Sequence, residues 1–265
     1  MFFPIGGQIR HTWHLRARIL FILFAGFLLT TGTTRADDNI YKFAGTTFPL
    51  IFEQDDHGNH FGLAVDILRE ISQNTGMTFK TLHYPWARAL AAARGGTIDG
   101  LIGPYWSEER ADYLDFSTHH FYSDRMVFVS RRTSTVTWTG DLRKLAKERI
   151  LAVRGWDYGP EFNTLRRQLR LTLIPRFDLG PGMLIADRAD LLAANERNAL
   201  FELKRQGLGD RLAILHPAFH QTHGYFGFPK VKNDKVLQAR FNKALEMLWA
   251  SGKLSAMSAR YQLAL

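Results

Sequence analysis

Residues 84–117, YPWARALAAARGGTIDGLIGPYWSEERADYLDFS, constrain the fold more than any other stretch, because they join a short helix, a buried strand and an arginine-bearing loop within 34 residues. Pro85 suits the first helical position, where its missing N–H costs nothing, and Gly95 with Gly96 supplies a left-handed stop. The helix between them is about two to three turns long. Ile98-Asp99-Gly100-Leu101-Ile102 reads as a strand covered on both faces, after which Gly103-Pro104 is expected to turn the chain out of the sheet. Side chains just beyond such a strand line a crevice, the usual place for a ligand in an open α/β sheet.

Strand and helix character alternate along the rest of the chain, which predicts an α/β fold with largely parallel strands. Tyr41 to Ala44 reads as a strand. Leu63, Ile67, Leu68 and Ile71 recur at helical spacing up to Gly76, and Thr78 to Leu82 is the next strand. The β-prone run Met126 to Ser130 enters the polar stretch Arg131 to Thr135, read as a crossing between two lobes. A second lobe repeats the alternation: helix Leu142 to Lys147, strand Ile150 to Val153, helix Pro160 to Leu169, strand Leu171 to Ile174, strand Leu191 to Ala193, helix Glu196 to Gln206 and strand Leu212 to Leu215. Gly224 to Phe228 brings the chain back, and helices Val231 to Trp249 and Lys253 to Tyr261 are expected to pack on the first lobe through Phe241, Leu245, Leu248 and Trp249. The expected boundaries are 37–131 and 224–265 for the first lobe and 132–223 for the second. Two crossings between lobes permit hinge closure around a ligand.

The first 36 residues carry Arg10, Arg16 and Arg18, the apolar run Ile19 to Leu29, and small polar residues up to Thr34-Arg35-Ala36. This is the pattern of a secretory signal peptide cleaved after Ala36. The 11 apolar residues fall short of the ~20 of a spanning helix, an uncleaved anchor being the alternative. With no Cys there is neither a disulfide to form in an oxidising compartment nor a site for a lipid anchor. Leaving out the four basic residues of the first 36 gives 30 basic against 25 acidic residues, a charge of +5. Those charges are scattered, without interleaved aromatics, which argues against a nucleic-acid partner.

The 84–117 unit resembles the first lobe of the bacterial extracellular solute-binding proteins of the polar amino-acid uptake type. That pattern reads aromatic, helix, "G-x-I-D-A", then "G-M-T-x-T-x-E-R" and "F-S". It is matched by Trp86, Gly96-Thr97-Ile98-Asp99-Gly100, Gly103-Pro104-Tyr105-Trp106-Ser107-Glu108-Glu109-Arg110 and Phe116-Ser117. Gly62-Leu63-Ala64-Val65-Asp66-Ile67 matches "G-x-x-V-D-I", and Ser251-Gly252 with Tyr261 matches the family's ending. The resemblance implies a type II periplasmic-binding-protein fold, two α/β lobes joined by a two-strand hinge. It further implies a periplasmic receptor for a small amino-acid-like or organic-acid solute, serving an inner-membrane ABC permease or sensor, with no cofactor, no metal and no need of a partner subunit.

Residue by residue, the resemblance assigns ligand contact to Arg110, whose guanidinium offers paired donors to a carboxylate. An ion pair with Glu108, Asp112 or Asp115 is the alternative. Trp86 takes the place of an aromatic that stacks on the ligand, and Phe48 that of a second; each can equally be core. Gly103 and Tyr105 hold positions that meet the ligand's amino and carboxylate groups, with Tyr105 in place of a threonine. Arg154 and Asp157 fall in the second-lobe loop aimed at the ligand carboxylate, Asp157 being expected to cap a helix and Arg154 being readable as a surface residue. Asn195 stands where the family has an aspartate for the ligand ammonium, and an amide cannot neutralise a buried ammonium, which makes a zwitterionic amino acid a poorer fit. Two other readings remain. An enzyme like the cyclohexadienyl dehydratases shares the scaffold and needs a positioned acid, for which His119, His120, Glu196 and His223 are candidates. A receptor that has lost its ligand and acts through a protein partner is the other.

Overall fold

The computed structural model describes residues 1–3 and 40–265, so the expected signal segment lies, its first three residues aside, outside the described residues. The chain divides into a unit Met1–Asp38 and a unit Asn39–Leu265, and the second carries the fold. The first α/β unit is β1 (Ile40–Gly45), the short hairpin strands β2 (Glu53–Gln54) and β3 (His60–Phe61), α1 (Leu63–Thr75) and β4 (Thr78–His83). Leu63, Ala64, Ile67, Leu68 and Ile71 bury one face of α1, and Gly76 ends it in a left-handed conformation, as the 3.6-residue spacing predicts. Next come α2 (Trp86–Arg94), β5 (Gly100–Tyr105), the single turn α3 (Glu108–Ala111), β6 (Leu114–Phe116) and β7 (Tyr122–Arg131). Pro85 is the residue before the helix, not its first, and Gly96, at φ +66°, supplies the left-handed stop.

The second half of the sheet is built by β8 (Arg149–Val153), α4 (Pro160–Leu165), β9 (Arg170–Ile174), α5 (Gly180–Ile185), β10 (Leu191–Asn195) and α6 (Glu196–Arg205). An 18-residue strand, β11 (Leu212–Pro229), follows, then α7 (Lys235–Ala250) and α8 (Lys253–Arg260). The nine-stranded sheet runs β4-β1-β5-β11-β7-β10-β8-β9, with β6 paired to β11. Pairing is parallel within each flank, among β4, β1 and β5 and among β10, β8 and β9, as short βαβ crossovers require. In the middle β11 runs antiparallel to both β5 and β7, and β10 antiparallel to β7, so the sheet is mixed.

Four expectations need correction. Gly103-Pro104 does not leave the sheet: β5 continues to Tyr105, and Gly103 takes φ +78° opposite a register shift between Gly224 and Phe226. A glycine is needed there, since a Cβ would meet the Tyr122 hydroxyl at 3.0 Å. The strand at Leu212–Leu215 does not end there but belongs to β11, which pairs with β7 over Leu212–Leu215 and again over His220–Gly224 and carries Gly224–Phe228 on to β5 and β6. Leu142–Leu145 forms a 3₁₀ turn and the helix from Pro160 stops at Leu165.

A continuous apolar core runs from Phe43, Phe226 and Phe241 through Tyr122 and Phe128 to Ile150 and Phe162. Helix α7 buries Leu237, Phe241, Ala244, Leu245 and Leu248, with Phe241 stacked on Phe43 at 5.7 Å. Burying one such ring contributes about 1.5–3 kcal/mol. Trp249 departs from the expected stripe: it is 37% exposed and stacks on His119 at 4.5 Å. Helix α8 is tied to α1 by Tyr261, which donates to Asp66 at 2.8 Å, and by the Lys253–Glu70 ion pair.

Candidate functional site

The end of β5, the start of α2 and the loop between β1 and β2 converge on a cavity whose opposite wall is the loop after β8. Its lining comprises Thr46, Phe48, Ile51, Phe52, Trp86, Ile102, Gly103, Tyr105, Arg110, Trp156 and Asp157, around about 410 Å³ of empty space that includes its mouth. Five of these residues are aromatic, a composition suited to a small organic solute with few polar anchors.

Arg110 is placed by the single turn α3, whose cap Ser107 accepts from the Arg110 backbone N–H. The side chain turns inward, only 5% of the residue being exposed, instead of pairing with Glu108, Asp112 or Asp115. Its Nη1 donates to the Tyr105 carbonyl at 2.7 Å and its Nη2 to the Gly155 carbonyl at 3.0 Å. These bonds use two of the five N–H groups a guanidinium carries. The same Gly155 carbonyl accepts from Trp86 Nε1 at 2.9 Å, so one oxygen of the β8–α4 loop receives two donors from across the cavity mouth. Gly155 holds φ +79°, and a Cβ would press on Leu90 at 3.2 Å and Trp86 at 3.5 Å, so glycine both adopts the turn and admits the approach.

Behind Phe48 and Tyr105 lies a buried ion pair. Arg197, in the first turn of α6, donates from Nη2 to Asp124 Oδ2 at 2.7 Å and from Nε to Asp124 Oδ1 at 3.2 Å, while its Nη1 donates to the Pro49 carbonyl. Its guanidinium stands 4.2 Å from the centre of the Phe48 ring and 5.4 Å from that of Tyr122. Tyr105 donates its hydroxyl to Asp124 Oδ2 at 2.7 Å. Burial, reinforced by the Asp124 charge, pushes the Tyr105 phenol well above its ordinary range, so it stays a neutral donor. For Arg197 burial is the largest influence and pulls the other way, but the charge and hydrogen bonds of Asp124 together with the Tyr105 and Tyr122 oxygens outweigh it, and the guanidinium is held charged more firmly than in water.

Of the residues singled out in the sequence, Arg110, Trp86, Phe48, Gly103, Tyr105 and Asp157 come together at this cavity, and Arg154 and Asn195 are not among its lining. Asp157 is not the helix cap: Gly159 precedes α4, and Asp157 accepts from the Gly159 N–H at 2.9 Å and from Asn163 Nδ2 at 3.2 Å. Arg154 is exposed. Asn195 is fully buried and caps α6, its Oδ1 accepting from Asn198 N at 2.8 Å. The acid candidates lie outside the lining too. His119 pairs with Glu246 at 2.5 Å, His120 packs on His223 with ring centres 4.4 Å apart, and Glu196 pairs with Arg125 at 2.6 Å. Trp106 is 54% exposed and also off the cavity. Sequence reasoning missed Trp156, Asp124 and Arg197. The period-2 alternation of β7 puts Asp124 on one face with Tyr122 and Met126, so a carboxylate in an otherwise apolar row was the available signal.

A mixed, curled α/β sheet with a cavity at its centre is the fold of the type II periplasmic binding proteins, and solved structures of that class superpose on it. A histidine kinase sensor domain with similarity to periplasmic binding proteins is 22% identical, with a TM-score of 0.74 over 84% of this chain and 96% of that one. A substrate-binding protein of an ABC uptake transporter from Streptococcus pneumoniae, solved with bound histidine, is 20% identical, with a TM-score of 0.70 over 83% of this chain and 91% of that one. The chain belongs to the bacterial extracellular solute-binding proteins, family 3, whose sequence profile matches residues 41–264. A similar curated protein is the probable amino-acid-binding protein YxeM of Bacillus subtilis (strain 168), 20% identical over 235 residues and 86% of each chain.

Proposed function

We propose that this protein is a periplasmic receptor that traps a small carboxylate-bearing solute between two lobes and presents it to an inner-membrane ABC permease or sensor, without chemistry of its own. The observation that carries the reading is a buried guanidinium, Arg110, set in a cavity that five aromatic side chains help to line. Its remaining N–H groups suit a planar carboxylate, while Trp86, Phe48 and Trp156 supply apolar contact for the rest of the solute. Gly103 and Tyr105 form the floor and Asp157 faces them from the other side. The lobes are 37–131 with 224–265, and 132–223, and the chain passes between them at the end of β7 and within β11. Export by the first 36 residues fits a family named for its extracellular place. Support for a binding role over catalysis comes from relatives named for amino-acid binding and from the distance of the histidine candidates from the cavity lining.

The test is a thermal-shift screen of amino acids, dipeptides, organic acids and aromatic acids on protein freed of carried-over ligand. A solute at 100 times its dissociation constant stabilises by roughly 2.7 kcal/mol. Arg110→Ala is expected to abolish the shift and the exposed Arg167→Ala to keep it. Equal affinity in both variants refutes the site, and turnover of the solute refutes a purely receptive role.

A further inference from the structure

The Arg197–Asp124 pair has no part in the solute contacts just described, yet it abuts two walls of the same cavity. We propose that Arg197 is an internal cation, filling from within the chain the place of a positive charge on a solute and so closing the Asp124 carboxylate to any solute cation. The selectivity in this statement rests on the solute-binding reading above; the placement of Arg197 does not.

Arg197 is the second residue of α6, a first-turn position where the helix dipole opposes a cation. Its location therefore does not serve the helix. The side chain is 10% exposed and that of Asp124 3%, so both charges have left bulk water. Three acceptors meet the guanidinium in a fork: Asp124 Oδ1, Asp124 Oδ2 and the Pro49 carbonyl. An aromatic face, Phe48, covers it at 4.2 Å. A carboxylate, a carbonyl and an aromatic face arranged this way make a receptor for a planar cation. Here the chain supplies the cation itself.

The consequence for a solute is electrostatic. Asp124 is matched by Arg197 and by the Tyr105 hydroxyl, so it has no charge left for an incoming ammonium. Asp157, the carboxylate on the opposite wall, accepts from two neutral donors, the Gly159 N–H and Asn163, and keeps its charge, so it is Asp124 that Arg197 withdraws. The bidentate contact cancels the charge of Arg197 as fully as that of Asp124, so its effect is to remove an anionic partner, and a solute cation reaching that side finds no counter-charge to offset its loss of water. A solute whose body is uncharged on that side meets no such cost.

Arg197→Ala empties the fork and leaves Asp124 unpaired. This variant is expected to bind free guanidinium: its melting temperature rises saturably with guanidinium chloride, far below denaturing concentrations, relative to matched sodium chloride. Wild-type protein shows no such rise, and neither does Arg197→Ala combined with Asp124→Asn, which lacks the carboxylate. If Arg197→Ala alone folds poorly, its recovery on refolding is higher with guanidinium than with sodium. Its affinity for L-arginine is expected to exceed that of wild type by about tenfold or more, since a hydrogen bond to a charged group is worth about 1.5–3 kcal/mol. The same response to guanidinium and sodium, in melting and in refolding, overturns the internal cation. Wild-type protein binding L-arginine as tightly as the variant overturns the selectivity. Should no solute in the library bind wild type while guanidinium still rescues the variant, the assignment of Arg197 stands and the failure falls on the solute-binding reading.

Discussion

The Arg197–Asp124 pair offers a sharp energetic test, because both side chains are withdrawn from water and share a bidentate contact at 2.7 and 3.2 Å. Arg197→Met removes the cation and leaves the Asp124 carboxylate with Tyr105 as donor and the Pro49 carbonyl short of one. Asp124→Leu removes the carboxylate and strands the guanidinium on the Pro49 carbonyl. Breaking a buried pair from one side costs about 3–5 kcal/mol, whereas replacing both partners with apolar groups of similar volume is often neutral or stabilising. Each single variant is therefore expected to lose about 3–5 kcal/mol, and the double variant to fall within about 2 kcal/mol of wild type, giving a coupling of at least about 4 kcal/mol. With an m-value of about 3 kcal/mol/M in urea, a loss of that size lowers the unfolding midpoint by about 1 to 1.7 M. The assay is equilibrium urea unfolding followed by tryptophan fluorescence and far-ultraviolet circular dichroism. Additive losses, with coupling under about 0.5 kcal/mol, would show that the pair is solvated and refute the reasoning.

Other consequences are as direct. Trp86→Phe keeps an aromatic ring, though a smaller one, and removes the Nε1 donor to the Gly155 carbonyl; with Arg110 still bonded there, we expect a cost of about 1 kcal/mol in urea unfolding, and a loss above about 3 kcal/mol would mean the ring itself is misplaced. Gly100→Val drives a Cβ to 2.2 Å from the Phe43 ring; overpacking of this kind costs about 1–3 kcal/mol or more, and an unchanged melting temperature would contradict the sheet register between β1 and β5. Hydrogen bonds from Arg149 hold the Asp190 carboxyl at about 2, below the ordinary ~3.9 of an unfolded chain. A depressed carboxylate contributes stability that is present above the unfolded value and lost as pH falls towards the folded one. Wild-type protein should accordingly lose more stability than Asp190→Asn between about pH 4 and about pH 2, and parallel losses would remove Asp190 from the acid response.

Local chemistry made much of the fold legible. The spacing of Leu63, Ile67, Leu68 and Ile71 and the Gly76 stop gave α1 within a residue, because one apolar face and a left-handed end are properties of the helix alone. The 84–117 unit likewise placed Trp86 at a helix start and Arg110 on the following turn, and both reach the cavity. Gly103 was misread for the same reason: glycine followed by proline is a turn signal locally, but the antiparallel partner β11 absorbs the irregularity as a bulge and carries the strand on to Tyr105. The length of β11 was hidden similarly. His216 to Phe219 interrupts the pattern between two apolar runs, and only pairing with β7 on both sides joins them.

The sequence by itself determined the periodic elements, the aromatic and arginine content of one loop, and through them the family, since these depend on residues within a turn or two of one another. The tertiary structure decided who neutralises whom. Arg197 and Asp124 are separated by 73 positions, and Trp86 meets the Gly155 carbonyl across 69. No local pattern encodes such pairs, because the free energy that favours them comes from removing both partners from water together, and that happens only when distant strands and helices close on the same small volume.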